Sequence, residues 1–325
     1  MSAWDCVVLC AGDDTQAQAF RQQLEFLDLE EFSDVSIRVY VDVPKTVKIG
    51  NGGALLVALH HLNEEFGAAL AEKKILFIPS GGYSQRQPNA AALGKIFSVL
   101  PKLTTSAQPV SLLLAKLQLL KPLCERMAPG MFVCSADTLE DIQTSPDPYW
   151  DLRQPGFTVV AHRSPPDVGT RHGVYVLESN PVSDQDLISS RSSSGLQTCV
   201  RVLQKPTIDQ MCEAGAICLN GQGEKYVYTD SMYCFSSDLF PVLLDFYAEH
   251  APLQFELDAY GDFLQPLGTK STTAYVLDDS RLAGEMNQNS MEAVHEARLD
   301  LYHQLHQIKD FEMRLGYKGV WEVVC

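Results

Sequence analysis

The sequence predicts an α/β protein with a mainly parallel sheet and helices on both faces. Short apolar runs at 6–11, 75–78 and 131–135 have the length and composition of buried parallel strands. Segments with helical spacing, such as 16–29 and 54–66, alternate with these runs. Glycines or acidic residues follow several of the runs, where ligand sites of α/β sheets form.

The bulk composition excludes several classes of protein. The chain has 325 residues, of which 46% are hydrophobic, so it can bury a large core. Its net charge of −16 argues against a nucleic-acid-binding or anionic-membrane-binding surface, which would need a basic face. We find no apolar run long enough to span a membrane, and the first apolar run lacks the basic residues that precede a signal-peptide core.

The cysteines indicate the compartment. The sequence contains nine of them, an odd number, and none forms a C-x-x-C pair. This pattern is typical of reduced, buried thiols, not of a disulfide framework or a zinc site. We therefore expect a cytoplasmic protein.

The segment after the run at 75–78 has the features of a phosphate-binding loop. The glycine pair Gly81-Gly82 lets backbone N–H groups approach a polyphosphate closely. Ser84 and Arg86 follow, and Lys95 lies nine residues beyond Arg86. The Arg86 guanidinium could donate two parallel hydrogen bonds to phosphate oxygens, and the Lys95 ammonium could add a positive charge. A plain polar turn is the alternative.

A second glycine-rich turn lies earlier in the chain. Asn51, Gly52 and Gly53 come after a predicted strand at 36–43 and directly before the predicted helix at 54–66. Such a turn can bind an anion at a helix N-terminus. It can equally serve as a tight strand-to-helix connection.

Three aspartates are candidate ligands of a metal ion or a sugar. Asp137 follows the run at 131–135 and would hold Mg²⁺ against a triphosphate, or cap a helix. Asp258 and Asp262 are four residues apart and would share one face of a helix. They are candidates for a second metal ligand or a sugar-hydroxyl acceptor, or are acids at a helix N-terminus.

The phrase GGYSQRQPNAAALGKIF resembles the signature loop of the sugar-1-phosphate nucleotidyltransferases. Ser84 stands where that family usually has a third glycine, and Pro88 comes one place early. The sequence of this segment is more similar to that of a narrower group, the L-fucose-1-phosphate guanylyltransferases (GDP-L-fucose pyrophosphorylases). The phrases GNGG, YTDSMYCF and DAYGDFLQPLG support the same resemblance, which covers about residues 4–270.

The resemblance implies a Rossmann-like, GT-A-like nucleotidyltransferase fold. It also implies that GTP and L-fucose 1-phosphate, with Mg²⁺, give GDP-L-fucose and pyrophosphate in GDP-fucose salvage. The implied catalytic residues are Arg86, Lys95 and Lys205, although Lys205 alone would be taken for a solvated strand end. The implied nucleotide-binding residues are Gly81, Gly82, Ser84, Asn51, Gly52 and Gly53; the sugar-binding residues are Gly173, Asp230 and Asp258; and the metal ligands are Asp137 and Asp262.

The C-terminal part departs from the resemblance. Residues 289–314 have the pattern of one long helix, whereas the family continues into a large β-rich region. We therefore expect a catalytic domain at 1–285, followed by a helix and a truncated tail at 286–325. The oligomeric state stays open. The alternatives are a UTP-dependent sugar-1-phosphate nucleotidyltransferase, or a nucleotide- or sugar-binding isoform without turnover.

Overall fold

The computed structural model describes residues 4–27, 29–82, 89–103, 109–140, 151–179, 196–278, 288–315 and 320–322. Its strands are β1 (Cys6–Ala11), β2 (Ser36–Val41), β3 (Lys74–Ile78), β4 (Val99–Leu103), β5 (Pro109–Ser111), β6 (Gly130–Cys134), β7 (Thr138–Glu140), β8 (Phe157–Ser164), β9 (Gly173–Leu177), β10 (Leu196–Gln204), β11 (Cys218–Leu219), β12 (Lys225–Ser236), β13 (Phe311–Leu315) and β14 (Val320–Glu322). Its α-helices are α1 (Asp14–Phe26), α2 (Gly50–Phe66), α3 (Asn89–Leu93), α4 (Leu112–Cys124), α5 (Pro166–Gly169), α6 (Ile208–Glu213), α7 (Phe240–His250), α8 (Gly261–Leu264) and α9 (Gln288–Leu305).

One large sheet organises the described part of the chain, in the strand order β2-β1-β3-β6-β12-β8-β13-β10-β9. The strands β2, β1, β3 and β6 pair in parallel, as the buried apolar runs predict. On the other side of β6 the pairing is antiparallel, except between β13 and β8. The α/β class is confirmed, and the parallel half brings the carboxyl ends of its strands to one edge.

Helices cover both faces of the sheet, as predicted. Alternate residues of β1 point to opposite faces, because successive side chains of a strand alternate. Cys6, Val8 and Cys10 join a core with α2, α7 and α9, whereas Val7 and Leu9 join a core with α1 and α4. Each face therefore has its own apolar layer.

The C-terminal segment differs from its sequence prediction. The helix expected to reach residue 314 ends at Leu305, and Phe311–Leu315 forms the strand β13. This strand lies inside the large sheet between β8 and β10. Residues on both sides of the expected boundary near 285 thus contribute to the same sheet. The helical pattern of the sequence does not decide the structure of this strand, because pairing with β8 and β10 stabilises an extended conformation there.

A buried ion pair lies behind the carboxyl end of β6. Lys116 of α4 has no exposed surface, and its Nζ donates to both carboxylate oxygens of Glu140, at 2.7 and 2.8 Å. The Thr138 hydroxyl also donates to Glu140, at 2.6 Å. The pair ties α4 to β7, directly after Asp137.

No described helix is long and apolar enough to cross a membrane.

Breaking the buried ion pair should destabilise the fold. We expect Lys116→Met or Glu140→Gln to lower the free energy of unfolding by about 3–5 kcal/mol, because one buried charge would lose its partner. The double variant Lys116→Met/Glu140→Leu should lower the free energy of unfolding much less, since it removes both charges. Urea titrations followed by circular dichroism measure these differences. Single variants within about 1 kcal/mol of the parent would contradict a desolvated pair.

Candidate functional site

A cavity of about 910 Å³ lies at the edge where the parallel strands end. Residues that follow β1, β2, β3 and β6 line one side of it, and residues that follow β10 line the other. The N-terminus of α2 and the segment 256–260 complete its wall. Parallel strands place their following loops at one edge of a sheet, which is where α/β proteins bind ligands.

The two glycines that begin the predicted phosphate loop lie at this cavity. Gly81 and Gly82 both line it, and Gly82 has a positive φ of 116°. A Cβ on Gly81 would lie 2.8 Å from the backbone nitrogen of Gly12, which follows β1. Only glycine lets these two loops approach so closely, so the Gly81 position requires glycine for packing as well as for any ligand. Gly12 was not singled out from the sequence.

Lys95 and Asp137 form an ion pair at the cavity. The Lys95 ammonium donates to Asp137 Oδ2 at 2.7 Å, and the Ser135 hydroxyl donates to Asp137 Oδ1 at 2.5 Å. Burial alone would raise the pKa of the Asp137 carboxyl, but the bonds from Lys95 and Ser135 outweigh it, so the pKa lies below its usual value. Asp137 is therefore a carboxylate at neutral pH, as a metal ligand must be. Sequence reasoning selected both residues and did not foresee their contact.

The second glycine-rich segment forms the first turn of α2, which begins at Gly50 and not at residue 54 as predicted, and it has mostly a packing role. The Gly52 N–H donates to the Leu257 carbonyl, and the Asn51 side chain accepts from the Ala259 N–H at 2.8 Å. A Cβ on Gly53 would lie 2.8 Å from the Ile49 Cβ. Asn51 lines the cavity, whereas Gly52 and Gly53 do not. Their placement agrees with the tight-connection alternative, and their predicted contact with a nucleotide is not supported by it.

Lys205 projects from the opposite wall with a strained backbone. Its φ is 49°, and it is the only non-glycine residue with a positive φ in the described part of the chain. Its backbone N–H donates to the His172 carbonyl at 2.9 Å, which holds this conformation. Backbone strain of this kind is concentrated at functional sites. The predicted partner Gly173 begins β9 opposite Gln204 and is not among the residues that line the cavity.

The two remaining aspartates separate in the structure. Asp258 lines the cavity and accepts hydrogen bonds from the Tyr260 N–H and from the Gln204 side chain. Asp262 is 1% exposed and lies outside the lining, where its carboxylate faces Arg298 at 3.2 Å and accepts from the Asp258 N–H. These contacts account for Asp262 without a metal ion, so its metal-ligand role is not supported by its placement. They also bring Arg298 of α9 to the cavity, which no local sequence pattern indicated.

Asp42 and two lysines form the end of the cavity beside β2. Asp42 follows β2, and Lys45 and Lys48 follow it in the connection to α2. Lys45 pairs with Asp14, and Lys48 pairs with Glu256. Asp42 was not selected from the sequence, although an acid at the carboxyl end of a predicted parallel strand is the relevant signal.

Three of the predicted site residues cannot be placed. Ser84 and Arg86 lie outside the described residues, and their roles stay predictions. Asp230 pairs through its backbone with Gly173 in the β12–β9 ladder, and its side chain is outside the description.

The arrangement is suited to holding two anions. The cavity is large enough for a nucleotide together with a small partner. Gly81, Gly82 and Asp137 line one wall, and Lys205 lies on the other. Lys95 does not itself line the cavity, and it reaches the site through its ion pair with Asp137. A carboxylate with a lowered pKa stands beside the glycine wall, where a divalent cation would meet phosphate oxygens.

Comparisons with known proteins identify relatives of this chain. The fucose pyrophosphorylase domain matches residues 67–315. The fucose-1-phosphate guanylyltransferase of Mus musculus is 39% identical over 305 residues, which cover 88% of this chain and 50% of that protein. The Homo sapiens fucose-1-phosphate guanylyltransferase is 38% identical over 88% of this chain and 48% of its own length.

A more distant relative is the bifunctional fucokinase/GDP-fucose pyrophosphorylase of Arabidopsis thaliana. It is 26% identical over 67% of this chain and 22% of its own length. This chain spans about half the length of the mouse and human relatives. Because the domain match covers most of the chain and includes the walls of the cavity from β3 onward, the chain belongs to the fucose pyrophosphorylase family.

Proposed function

We propose that this chain transfers GMP from GTP to L-fucose 1-phosphate and releases pyrophosphate, giving GDP-L-fucose. The observation that carries the proposal is the cavity lined by the glycine pair, by Asp137 and by Lys205, with Lys95 paired to Asp137. The names of the mouse and human relatives supply the two substrates. The cytoplasmic location expected from the cysteines, and a place in GDP-fucose salvage, belong to the same proposal.

Asp137 fits the Mg²⁺ that such a reaction uses. Magnesium is commonly bound by one or two protein carboxylates together with substrate phosphates, and Asp137 is an ionised carboxylate beside the phosphate loop. When bound, the ion would neutralise charge that develops on the phosphate oxygens. The Ser135 hydroxyl orients the Asp137 carboxylate for this role.

The reaction needs positioning and charge neutralisation more than acid–base chemistry. A sugar phosphate is already an anionic nucleophile at neutral pH, so no general base is required. Its oxygen forms a bond to the α-phosphorus of GTP, and the bond from that phosphorus to the bridging oxygen of pyrophosphate breaks. In this proposal Gly81, Gly82 and Arg86 bind the triphosphate, and Lys95 and Lys205 hold the phosphates that meet.

The sugar should lie near the wall formed by β10 and the segment 256–260. Asp258 and Gln204 present polar groups to the cavity there, beside Lys205. Hydroxyl groups of a sugar pair with carboxylate and amide oxygens. We assign Asp258, Gly173 and Asp230 to this end of the site.

The assay for the whole proposal is pyrophosphate release by the purified chain with Mg²⁺. Each of the four nucleoside triphosphates is paired with fucose 1-phosphate or with N-acetylglucosamine 1-phosphate. We expect release from GTP with fucose 1-phosphate only. Release from UTP with the hexosamine phosphate would instead identify a UTP-dependent enzyme. A folded chain that binds GTP and stays silent in every mixture would be a binding module.

The Asp137 carboxylate can be tested by an isosteric change. We expect Asp137→Asn to lower kcat/KM by about a hundredfold to a thousandfold, because one preorganised electrostatic group is lost. The Mg²⁺ concentration for half-maximal rate should also rise. The exposed Asp209→Asn change on α6 is the matched control. Unaltered rate and Mg²⁺ dependence in the Asp137 variant would remove Asp137 from the site.

Lys205 can be tested by separating its strain from its charge. Lys205→Gly and Lys205→Ala should both raise KM for fucose 1-phosphate by about tenfold or more, because a charge-assisted contact is lost. Lys205→Gly should be more stable than Lys205→Ala by about 1 kcal/mol, since glycine tolerates a positive φ. Thermal unfolding and initial-rate kinetics give the two readouts. An Ala variant as stable as the Gly variant would show that the backbone is not strained.

A further inference from the structure

The carboxylates of the cavity differ in whether they already have partners. Six carboxylates from the described part of the chain line it. Five of them are engaged by neighbouring groups: Asp13, Asp137, Glu256, Asp258 and Asp278. Asp42 is the exception, because its side chain makes no hydrogen bond or ion pair with any described residue.

The surroundings of Asp42 make this lack of a partner costly. The residue is partly buried, and burial raises the pKa of its carboxyl to about 7. No nearby cation contributes to the shift, because Lys45 and Lys48 are turned to Asp14 and Glu256. A carboxyl group that is partly withdrawn from water and has no donor from the described residues is left weakly solvated, and a ligand that supplies donors would stabilise its ionised form.

The position of Asp42 relative to the phosphate loop identifies which part of a ligand reaches it. Its backbone N–H donates to the Ala11 carbonyl at the end of β1, which fixes it at the carboxyl edge of the sheet. The strand order β2-β1-β3 separates it from Gly81 by two strand spacings, roughly 10 Å. That separation matches the length of a nucleoside, so a nucleotide with its phosphates at Gly81 that lies across the end of β1 would bring its base to Asp42.

We propose that Asp42 selects guanine, by accepting hydrogen bonds from its N1–H and its 2-amino group. This inference rests on the proposed function, since it assumes that the phosphates occupy the loop at Gly81. Guanine presents two adjacent donors, which a carboxylate accepts with both oxygens. Adenine and cytosine present a single donor beside an acceptor, and uracil presents one N–H between two carbonyl oxygens. A carboxylate therefore fits guanine and repels the acceptor groups of the other bases.

Nucleotide binding tests the proposal without requiring turnover. GTP, inosine triphosphate (which lacks the 2-amino group) and 2′-deoxyGTP are titrated with Mg²⁺ into the parent chain by calorimetry. The same titrations use Asp42→Asn and the control Asp34→Asn, which removes an exposed charge before the other end of β2. The parent and the control should bind GTP at least about tenfold more tightly than inosine triphosphate, because a hydrogen bond to a charged group is lost. In Asp42→Asn that ratio should fall to about one.

Several outcomes would overturn the proposal. An unchanged ratio of GTP to inosine triphosphate affinity in Asp42→Asn would do so, even if both affinities fall. If Asp42→Asn weakens the binding of GTP and of inosine triphosphate equally, and no longer binds GTP more tightly than 2′-deoxyGTP, Asp42 would be assigned to the ribose hydroxyls instead. A parent that does not distinguish GTP from inosine triphosphate would also exclude it. Preferential GTP binding that depends on Asp42, in a chain without turnover, would sustain this inference and refute the proposed function.

A second measurement examines the unpaired carboxyl itself. The folded pKa of Asp42 is raised to about 7 from 3.8, so its contribution to stability is fully present below pH 4 and is lost as the pH rises through 7. The Asp42→Asn variant has no ionisable group at this position, so it does not lose stability in this way as the pH rises. We expect the variant to unfold at a higher temperature than the parent at pH 8, and the difference to vanish near pH 4. A difference that is the same at both pH values would show a solvated carboxyl and overturn the argument.

Discussion

The parallel register of β2, β1, β3 and β6 is the constraint on which the site depends. Cys6 of β1 stands opposite Ser36 of β2 and Ile75 of β3, and Lys74 stands opposite Gly130 of β6. Because these strands run in the same direction, everything that follows them meets at one edge. A shift of one residue in any pair would turn the apolar side chains of that strand to the wrong core. The two apolar layers therefore fix the register, and the register fixes the cavity.

A chain with a net charge of −16 needs cations that are already positioned at its cavity if, as proposed, it binds anionic ligands there. Two lysines that line the cavity and one lysine beside it are held by acids: Lys45 by Asp14, Lys48 by Glu256 and Lys95 by Asp137. Under the proposed function, an arriving phosphate would replace the carboxylate as the partner of a lysine. The lysine side chain would already be ordered before binding. Under the proposed function, the displaced Asp137 carboxylate would then be available to a divalent cation, and this residue would link nucleotide binding to metal binding.

What the sequence could predict was local, and what it could not predict depends on tertiary packing. The strands β1, β3 and β6, the glycine pair and Asp137 carry their pattern within a few residues, and the structure brings them to one edge. The glycines at 52 and 53 match a nucleotide turn and a packing turn equally well, since only the approach of Leu257 and Ala259 distinguishes them. Lys116 resembles a surface residue in an apolar helix, because its partner Glu140 lies 24 residues away on another element. For Asp42 the sequence does contain an indication, because this residue lies at the carboxyl end of a parallel strand.

The C-terminal elements show why a boundary near residue 285 does not suit this fold. Arg298 of α9 is 3% exposed and faces Asp262, which is 1% exposed. Asp262 in turn accepts from the Asp258 N–H, so α9 supports the segment that carries Asp258 into the cavity. Without α9 the Asp262 carboxylate would be a buried charge facing no cation, which costs several kcal/mol. If β13 were absent, β8 and β10 would each lose one of their neighbouring strands. Residues 288–315 are therefore part of the unit that forms the site, in agreement with the domain match, which ends at residue 315.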